Sequence, residues 1–523
     1  MDDRPPRDPW RATAWDEDQM SETNKGTDRA SGHFSADRRT MLGGLAAAGI
    51  TPILGIGMET AMAADKTGKD DLTWMPAWRI RDMVASGKIT ASAVTEHFIA
   101  RIGKIDPVLH AFRAFDPEGA RSQARAIDEA VAQGKPVGPL AGVPIAIKDH
   151  VAVKGLPVFD GSPSNNKAAA LQPAARDSVV AERLRAAGAI IMGVTIMPGM
   201  GIGAGMPDLA RHPRNPWDPK RVPGSSSAGS AAAVAAGMVP VAIGSDGGGS
   251  TRLPAALTGT IGVHTTIGRV PNLNLDHPDL PLTTSLGPIA RDVRDAAIVM
   301  QAIAGPDGRD MLSTIHPPAP DYLAALNDGA RGMKMAWTDD YGFTRSLGST
   351  QTDGIIDAVR NAAQGVSALG AAFTPVDEQW ESFWPHYLVT TAAYSVRPGT
   401  QRPSTEDLIR SSEVRARNRA KFDALLTRFD VLMSPTIQFT APTVEEWDRS
   451  WRDVLKFSPV YTSDTFMFNW LGLPAMSVPC GFVEGLPIGL QLVGPPDSEP
   501  KLFRIAQAFL TRFPRTETPP PVA

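Results

Sequence analysis

The run Gly244-Ser245-Asp246-Gly247-Gly248-Gly249-Ser250 constrains this chain more than any other stretch. Three consecutive glycines leave the backbone nearly bare just before a hydroxyl. The apolar segment before them, Pro240 to Gly244, reads as a strand that delivers the run. Bare N–H groups beside a nucleophile suit acyl transfer, in which negative charge develops on a carbonyl oxygen. Upstream lies a second serine cluster, Gly224-Ser225-Ser226-Ser227-Ala228-Gly229-Ser230. Further upstream a lysine ends an apolar run, Gly142-Val143-Pro144-Ile145-Ala146-Ile147-Lys148-Asp149. Taken singly, these segments read as a turn, a helix cap or linker, and a lysine reaching for solvent. Together they point to a serine hydrolase whose base is a lysine.

Bulk properties narrow the choice by exclusion. At 523 residues the chain is long enough to bury a large core. A net charge of −4 gives no electrostatic case for nucleic acid or an acidic membrane surface. The single cysteine, Cys480, excludes an internal disulfide and a cysteine-based zinc site. The nine histidines lack a paired ligand spacing. No metal site and no cofactor is expected.

The amino terminus reads as a targeting segment. Arg38-Arg39 precedes a Gly/Ala-rich apolar stretch that runs to about Gly57, followed by Ala61-Met62-Ala63. This pattern resembles a twin-arginine export signal cleaved after Ala63. The apolar stretch falls short of the ~20 residues a bilayer span needs, so no membrane attachment is expected once the signal is removed. The acid-rich residues 1–19 sit poorly with such a signal, and a start at Met20 would give an ordinary leader. The expected location is periplasmic or secreted, with the cytoplasm as the alternative.

Beyond Lys66 the hydrophobic pattern alternates between helix and strand. Helices are expected at Trp78–Ser86, Ala91–Ile105, Ser178–Ala187, Ser230–Ala236, Val293–Ala304, Ile355–Leu369 and Glu406–Phe429. Strands are expected at Pro144–Lys148, Ala189–Val194, Pro240–Gly244, Met333–Trp337, Val431–Ser434, Ala475–Val478 and Ile488–Val493. Such alternation means an α/β layered fold with helices covering a sheet. No linker divides the mature chain. The expected organisation is a leader (1–63), a short flexible segment (64–74), one large domain (75–515) and a proline-rich tail (516–523).

The block Arg221-Val222-Pro223-Gly224-Ser225-Ser226-Ser227-Ala228-Gly229-Ser230, continued by Ser245 through Ala255, resembles the signature of the amidase signature family. The Gly-Val-Pro-x-x-x-Lys-Asp stretch is similar to that family's lysine motif. Gly287-Pro288-Ile289-Ala290-Arg291, Phe468-Asn469, Gly472-Leu473-Pro474-Ala475 and Leu486 to Gly494 match in order. The resemblance covers about residues 75–515 and implies a central mixed β-sheet covered on both faces by helices. It implies that Ser250 attacks the amide carbonyl and that Ser226, after a cis peptide bond, relays a proton to Lys148. A lysine base must be neutral, and desolvation at the end of an apolar strand favours that form. The N–H groups of Gly247, Gly248, Gly249 and Ser250 would form an oxyanion hole. Ser227 would hold Lys148, while Asp246 and Arg252 would brace the loop.

Some positions depart from the family pattern. His264-Thr265-Thr266 replaces the usual lysine-proline-threonine, and His264 reads as a packed or surface histidine, not as a catalytic base. Ile196 and Gly199 replace a common asparagine and acidic residue. Met197, Met200 and Met206 would form an adaptable apolar wall. Trp380, Trp384, Tyr387, Trp447, Trp451 and Phe466 would form an aromatic cleft. The expected substrate is a small-molecule amide, bulky and uncharged. An esterase or carbamate hydrolase on the same scaffold is the alternative, as is the aminoacyl-tRNA-directed component of an amidotransferase. A homodimer is compatible with the sequence, and no nucleic-acid partner is expected for the hydrolase.

Overall fold

Eleven strands form the sheet: β1 (Phe112–Phe115), β2 (Pro144–Lys148), β3 (Ile190–Thr195), β4 (Val241–Asp246), β5 (Ile261–His264), β6 (Ser285–Ala290), β7 (Lys334–Trp337), β8 (Ala372–Pro375), β9 (Val431–Pro435), β10 (Ala475–Val483) and β11 (Leu486–Val493). The computed structural model describes residues 71–158, 172–198, 209–272, 283–347, 350–383, 402–451, 464–514 and 519–522, with single positions at 385, 386, 389 and 393. The leader 1–63 and its export signal lie outside the described residues.

The strands join into one mixed sheet in the order β1-β3-β2-β4-β6-β5-β10-β11-β9-β7-β8. β2 runs parallel to β3 and β4, and β7 runs parallel to β8 and β9. The other pairings are antiparallel.

Side chains alternate between the two faces of a strand, and here the alternation sorts residues into separate cores. Ile145, Ile147, Val241, Ile243, Met335, Val431 and Met476 belong to one core that runs across the sheet. Helices Val179–Ala186, Val293–Ile303, Thr352–Ala363 and Glu499–Arg512 contribute to that core. Their neighbours Ala146, Ala242, Ile190 and Met192 face a second core with helices Ala77–Ala85, Ala91–Leu109, Pro117–Ala132 and Ala228–Ala235. Ala336, Leu432, Ala475 and Val493 face a third, shared with helix Thr405–Arg428 and the helical segment 464–471. Both faces are therefore covered.

Most expected elements occur within a few residues of their predicted ends. Thr90 caps Ala91–Leu109, its side chain accepting from Ala93 N–H. Strands β1, β5, β6 and β8 were not expected, nor were helices Pro117–Ala132, Arg252–Thr258, Val444–Trp451 and Glu499–Arg512. β6 contains Gly287-Pro288, which reads as a break. Its ladder to β5 runs only through Ile289 and Ala290, so the missing proline N–H costs no bond there. The expected loose connection 64–74 is packed from residue 71 onward. Leu72 and Thr73 are buried, and Trp74 lies beneath the Arg101 and Arg291 guanidinium groups, 5.8 and 5.3 Å from its ring centroid. Of the proline-rich tail, Pro520 is buried and Val522 N–H donates to the Pro216 carbonyl.

Helix Ala228–Ala235 is buried at every position, and apart from Val234 it consists of Ala, Gly and Ser. Gly229 N–H donates to Ile196 C=O at 3.1 Å. A Cβ at Gly229 would sit 2.2 Å from the Ala111 carbonyl oxygen and 2.6 Å from Ile196 N. Both are backbone atoms held by neighbouring segments. Gly229→Ala is therefore expected to lower stability by about 1–3 kcal/mol, the usual cost of overpacking. Urea denaturation checks this, and an unchanged midpoint would contradict the close approach.

Candidate active site

Lys148 ends β2, and the outward alternation of that strand separates it from its neighbour Asp149. The lysine is fully buried. Its Nζ lies 2.7 Å from Ser226 Oγ, 2.8 Å from Ser245 Oγ and 3.4 Å from the Ser245 carbonyl. Asp149 turns the other way. Its carboxylate accepts from Arg113 Nε at 2.7 Å and Met197 N–H at 3.0 Å. Burial pushes the Asp149 carboxyl up to about 6, against the opposing pull of Arg113.

Ser226 follows a cis peptide bond, Ser225–Ser226, as the resemblance implied. Ser227 N–H donates to the Ser250 carbonyl at 3.1 Å, tying the two serine segments together. No hydrogen bond joins Ser250 Oγ to a described residue, and the side chain is half-buried. Ser227 was expected to hold Lys148. Its Oγ instead donates to the Ser245 carbonyl at 3.1 Å and accepts from Ser245 N–H at 3.3 Å. Ser227 therefore supports the lysine one step removed, through Ser245. Sequence reasoning missed Ser245 as a lysine partner, although it lies in the glycine run itself, one residue beyond the predicted strand end.

Asp246 anchors the glycine loop from inside. Its Oδ1 accepts from Gly249 N–H at 2.6 Å, and its Oδ2 accepts from Thr251 N–H at 3.2 Å. Arg252 Nε donates to Oδ2 at 2.9 Å and Nη2 to Oδ1 at 3.1 Å, both side chains being wholly buried. Burial alone would raise this carboxyl; the Arg252 charge and the Asn469 hydrogen bond outweigh it and hold the group well below the usual carboxylate range. Arg252 also donates to Gln491 Oε1 and Asn469 Oδ1, at 2.8 and 2.6 Å. The expected bracing role of Asp246 and Arg252 thus has a geometric basis. Asn469 and Gln491 extend the brace into the helical segment 464–471 and β11.

The same bonds correct one expectation. Gly249 N–H was counted among the oxyanion donors, but it is committed to Asp246. By contrast, the N–H groups of Gly248 and Ser250 donate to no described residue. The outer side of the loop is crowded. A Cβ on Gly248 would lie 1.4 Å from Phe466 Cε1, and one on Gly249 (φ +113°) 2.1 Å from Thr465 Oγ1. Only glycine fits either position.

His264 is packed, as expected. Its Nδ1 lies 2.7 Å from Ser285 Oγ, and burial pushes its pKa down to about 3, leaving it neutral. Two of the residues expected in the aromatic cleft belong to the core. Trp380 stacks on Phe422 at 4.4 Å and Trp447 is fully buried in a separate core, because both sit on faces turned inward. Phe466 meets the glycine loop and packs edge-on against Phe383 at 6.2 Å. Met197 is buried beside Arg113, whose Nη2 donates to its carbonyl. Met200, Met206, Trp384, Tyr387 and the Trp451 side chain lie outside the described residues.

The amidase family model matches residues 93–398 and 394–503. The A-type component of the glutamyl-tRNA(Gln) amidotransferase of Geobacillus stearothermophilus is 33% identical over 489 residues, spanning 82% of this chain and 95% of that protein. Its counterpart in Chloroflexus aurantiacus is 36% identical over 476 residues, 82% of this chain and 94% of that one. A solved bacterial aryl acylamidase of the amidase signature family superposes with a TM-score of 0.73 at 28% identity, covering 85% of this chain and 97% of its own. With the family model running through nearly all of the packed body and the same architecture recurring in a solved member, this chain belongs to the amidase signature family.

Proposed function

We propose that this protein is an amidohydrolase that cleaves a carboxamide C–N bond through an acyl-enzyme on Ser250. One observation carries the reading: a fully buried lysine whose Nζ sits 2.7 Å from the Ser226 hydroxyl. Burial disfavours the ammonium form, and an uncharged amine can take a proton. In the first step Lys148 Nζ takes the Ser226 hydroxyl proton as Ser226 takes that of Ser250. Ser250 Oγ bonds to the amide carbon, and the carbonyl π pair moves onto oxygen. The N–H groups of Gly248 and Ser250 are the donors available to that oxyanion. As the tetrahedral intermediate collapses, the C–N bond breaks and the relayed proton goes to the departing amine. Water then adds to the ester, its proton passing back along the same pair, and the carboxylic acid leaves. Closing the relay requires the half-buried Ser250 hydroxyl to turn toward Ser226. Contacts of this kind commonly tighten only with substrate bound.

A bulky, uncharged aryl or acyl amide fits this reading best. Phe466 lies against Gly248 in the loop, and the aryl acylamidase shares the fold. A second reading, as an amidotransferase component, is favoured by the names of the curated relatives. Parallel assays with anilides, primary amides, esters, carbamates and free glutamine separate these readings.

We also propose export through the twin-arginine-type segment, which makes the mature protein begin near Ala64. Terminal sequencing of periplasmic protein tests this, and finding residues 1–40 still attached would overturn it. For the chemistry, Ser250→Ala and Lys148→Ala are each expected to lower turnover at least ~10³-fold while circular dichroism stays native. Substantial activity in either variant would show the assigned roles to be wrong.

A further inference from the structure

The Gly248–Gly249 peptide is gripped at both ends. Its N–H donates to Asp246 Oδ1 at 2.6 Å on the inner side. Its C=O accepts from Thr465 Oγ1 at 2.9 Å on the outer side. A trans peptide points these two groups in opposite directions, so the two bonds together fix the orientation of the plane. The next peptide is fixed as well, since the Gly249 carbonyl accepts from Leu253 N–H at 2.7 Å. That bond aims Ser250 N–H away from Leu253. The one after it is held through Ser227 N–H to the Ser250 carbonyl and Thr251 N–H to Asp246. The Asp246 and Leu253 bonds that fix the first two peptides come from residues near them in sequence. The Thr465 contact does not.

From this geometry we infer that Thr465 is a positioning residue for the oxyanion donors. Thr465 is fully buried in the helical segment 464–471, opposite Asp246 across the loop. That segment is itself anchored: Gln491 Nε2 donates to the Asp464 carbonyl at 2.9 Å, and Thr344 and Gln438 donate to the Asp464 carboxylate at 2.8 and 2.9 Å. Without the Thr465 hydroxyl, the Gly248 carbonyl loses its partner. Glycines on both sides place little steric barrier against rotation of the plane. A turned plane withdraws Gly249 N–H from Asp246 and loosens the flanking peptides that carry the Gly248 and Ser250 N–H groups. Donors no longer held in one orientation stabilise less of the charge that develops on the oxyanion. Thr465 therefore acts through the loop backbone and not on the substrate.

This inference rests on the hydrolase reading, and the test separates the two. The readout is the rate at which an alkyl fluorophosphonate phosphonylates Ser250, mapped by peptide mass. That reaction needs the nucleophile and places a phosphoryl oxygen among the same donors, with no knowledge of the natural amide. Thr465→Val keeps the shape and removes the donor; it is expected to react at least ~10-fold more slowly with Ser250. Thr465→Ser restores the hydroxyl and is expected to recover to within about threefold of wild type. If the valine variant does not fold by thermal melt, Thr465→Cys, with its weak donor, takes its place and is expected to fall between the two. A folded valine or cysteine variant that reacts at the wild-type rate, or a serine variant as slow as valine, overturns the positioning role while leaving Ser250 as the nucleophile. Wild-type protein that fails to label at Ser250 overturns the hydrolase reading and this inference with it.

Discussion

The buried Asp246–Arg252 pair is the interaction on which the rest of the site depends. Neither side chain reaches solvent, and each is held by several further bonds. A lone charge at such depth is costly, and breaking a buried pair commonly costs about 3–5 kcal/mol. The two groups therefore stand or fall together. Their bonds also reach well beyond each other. Asp246 closes the glycine loop through Gly249 and Thr251, and Arg252 reaches Asn469 and Gln491 across the sheet. Asn469 in turn donates to the Asp246 carbonyl at 2.7 Å and to its Oδ1 at 2.9 Å. The loop that presents Ser250 is thus bolted to the helical segment 464–471 and to β11, whose Asn469 and Gln491 lie 217 and 239 residues from Arg252.

This bolt sits at a seam. On one sheet face a single core is shared by strands from both halves of the chain. On the other face the cover is split between the small-residue helix Ala228–Ala235 and the aromatic cluster around Tyr341, Phe422 and Phe468. Polar groups cannot be buried inside either cluster without partners, but at the seam they can satisfy one another. Lys148 illustrates the balance. It comes from a strand with apolar neighbours, and three oxygens from Ser226 and Ser245 receive its amine. Asp149, one residue on, is directed by strand alternation to Arg113. Had Asp149 shared the face of the lysine, its carboxylate would favour the ammonium over the free amine.

How much of this was legible in the sequence follows from which forces are local. Strands such as Pro144–Lys148 and Val431–Pro435 are continuous apolar runs and announce themselves. β5 and β6 do not, because Gly262, Gly287 and Pro288 read as loop residues. Their glycines are required by close packing: a Cβ at Gly287 would meet the Val263 carbonyl oxygen at 2.1 Å. Nothing in a local pattern reveals a neighbour from another strand. Among site residues, Lys148, Ser226, Ser250, Asp246 and Arg252 were readable because they cluster in ordered motifs. The diversion of Gly249 N–H into Asp246 was not, since it depends on the turn of a single peptide plane. Likewise the aromatic residues were visible as a composition, but burial on inward faces assigned Trp380 and Trp447 to core and left Phe466 at the loop.

The split between chemistry and substrate choice has a physical origin in that last contact. Lysine, serines and glycine donors all lie between residues 148 and 252, and their geometry is set by bonds within the protein. The glycines carry no side chain on the outer surface of the loop, so nothing intrinsic to the loop can select a substrate. Phe466 lies over that bare surface at a distance that excludes even a methyl group on Gly248. In the proposed reaction, the acyl group approaching Ser250 packs against side chains supplied by the C-terminal half. Changing those side chains alters which carbonyl fits without disturbing the buried pair, the lysine or the peptide planes. On the proposed mechanism, a scaffold built this way keeps its buried geometry while the accepted substrate changes, and the names of an aryl acylamidase and of amidotransferase components differ in that respect.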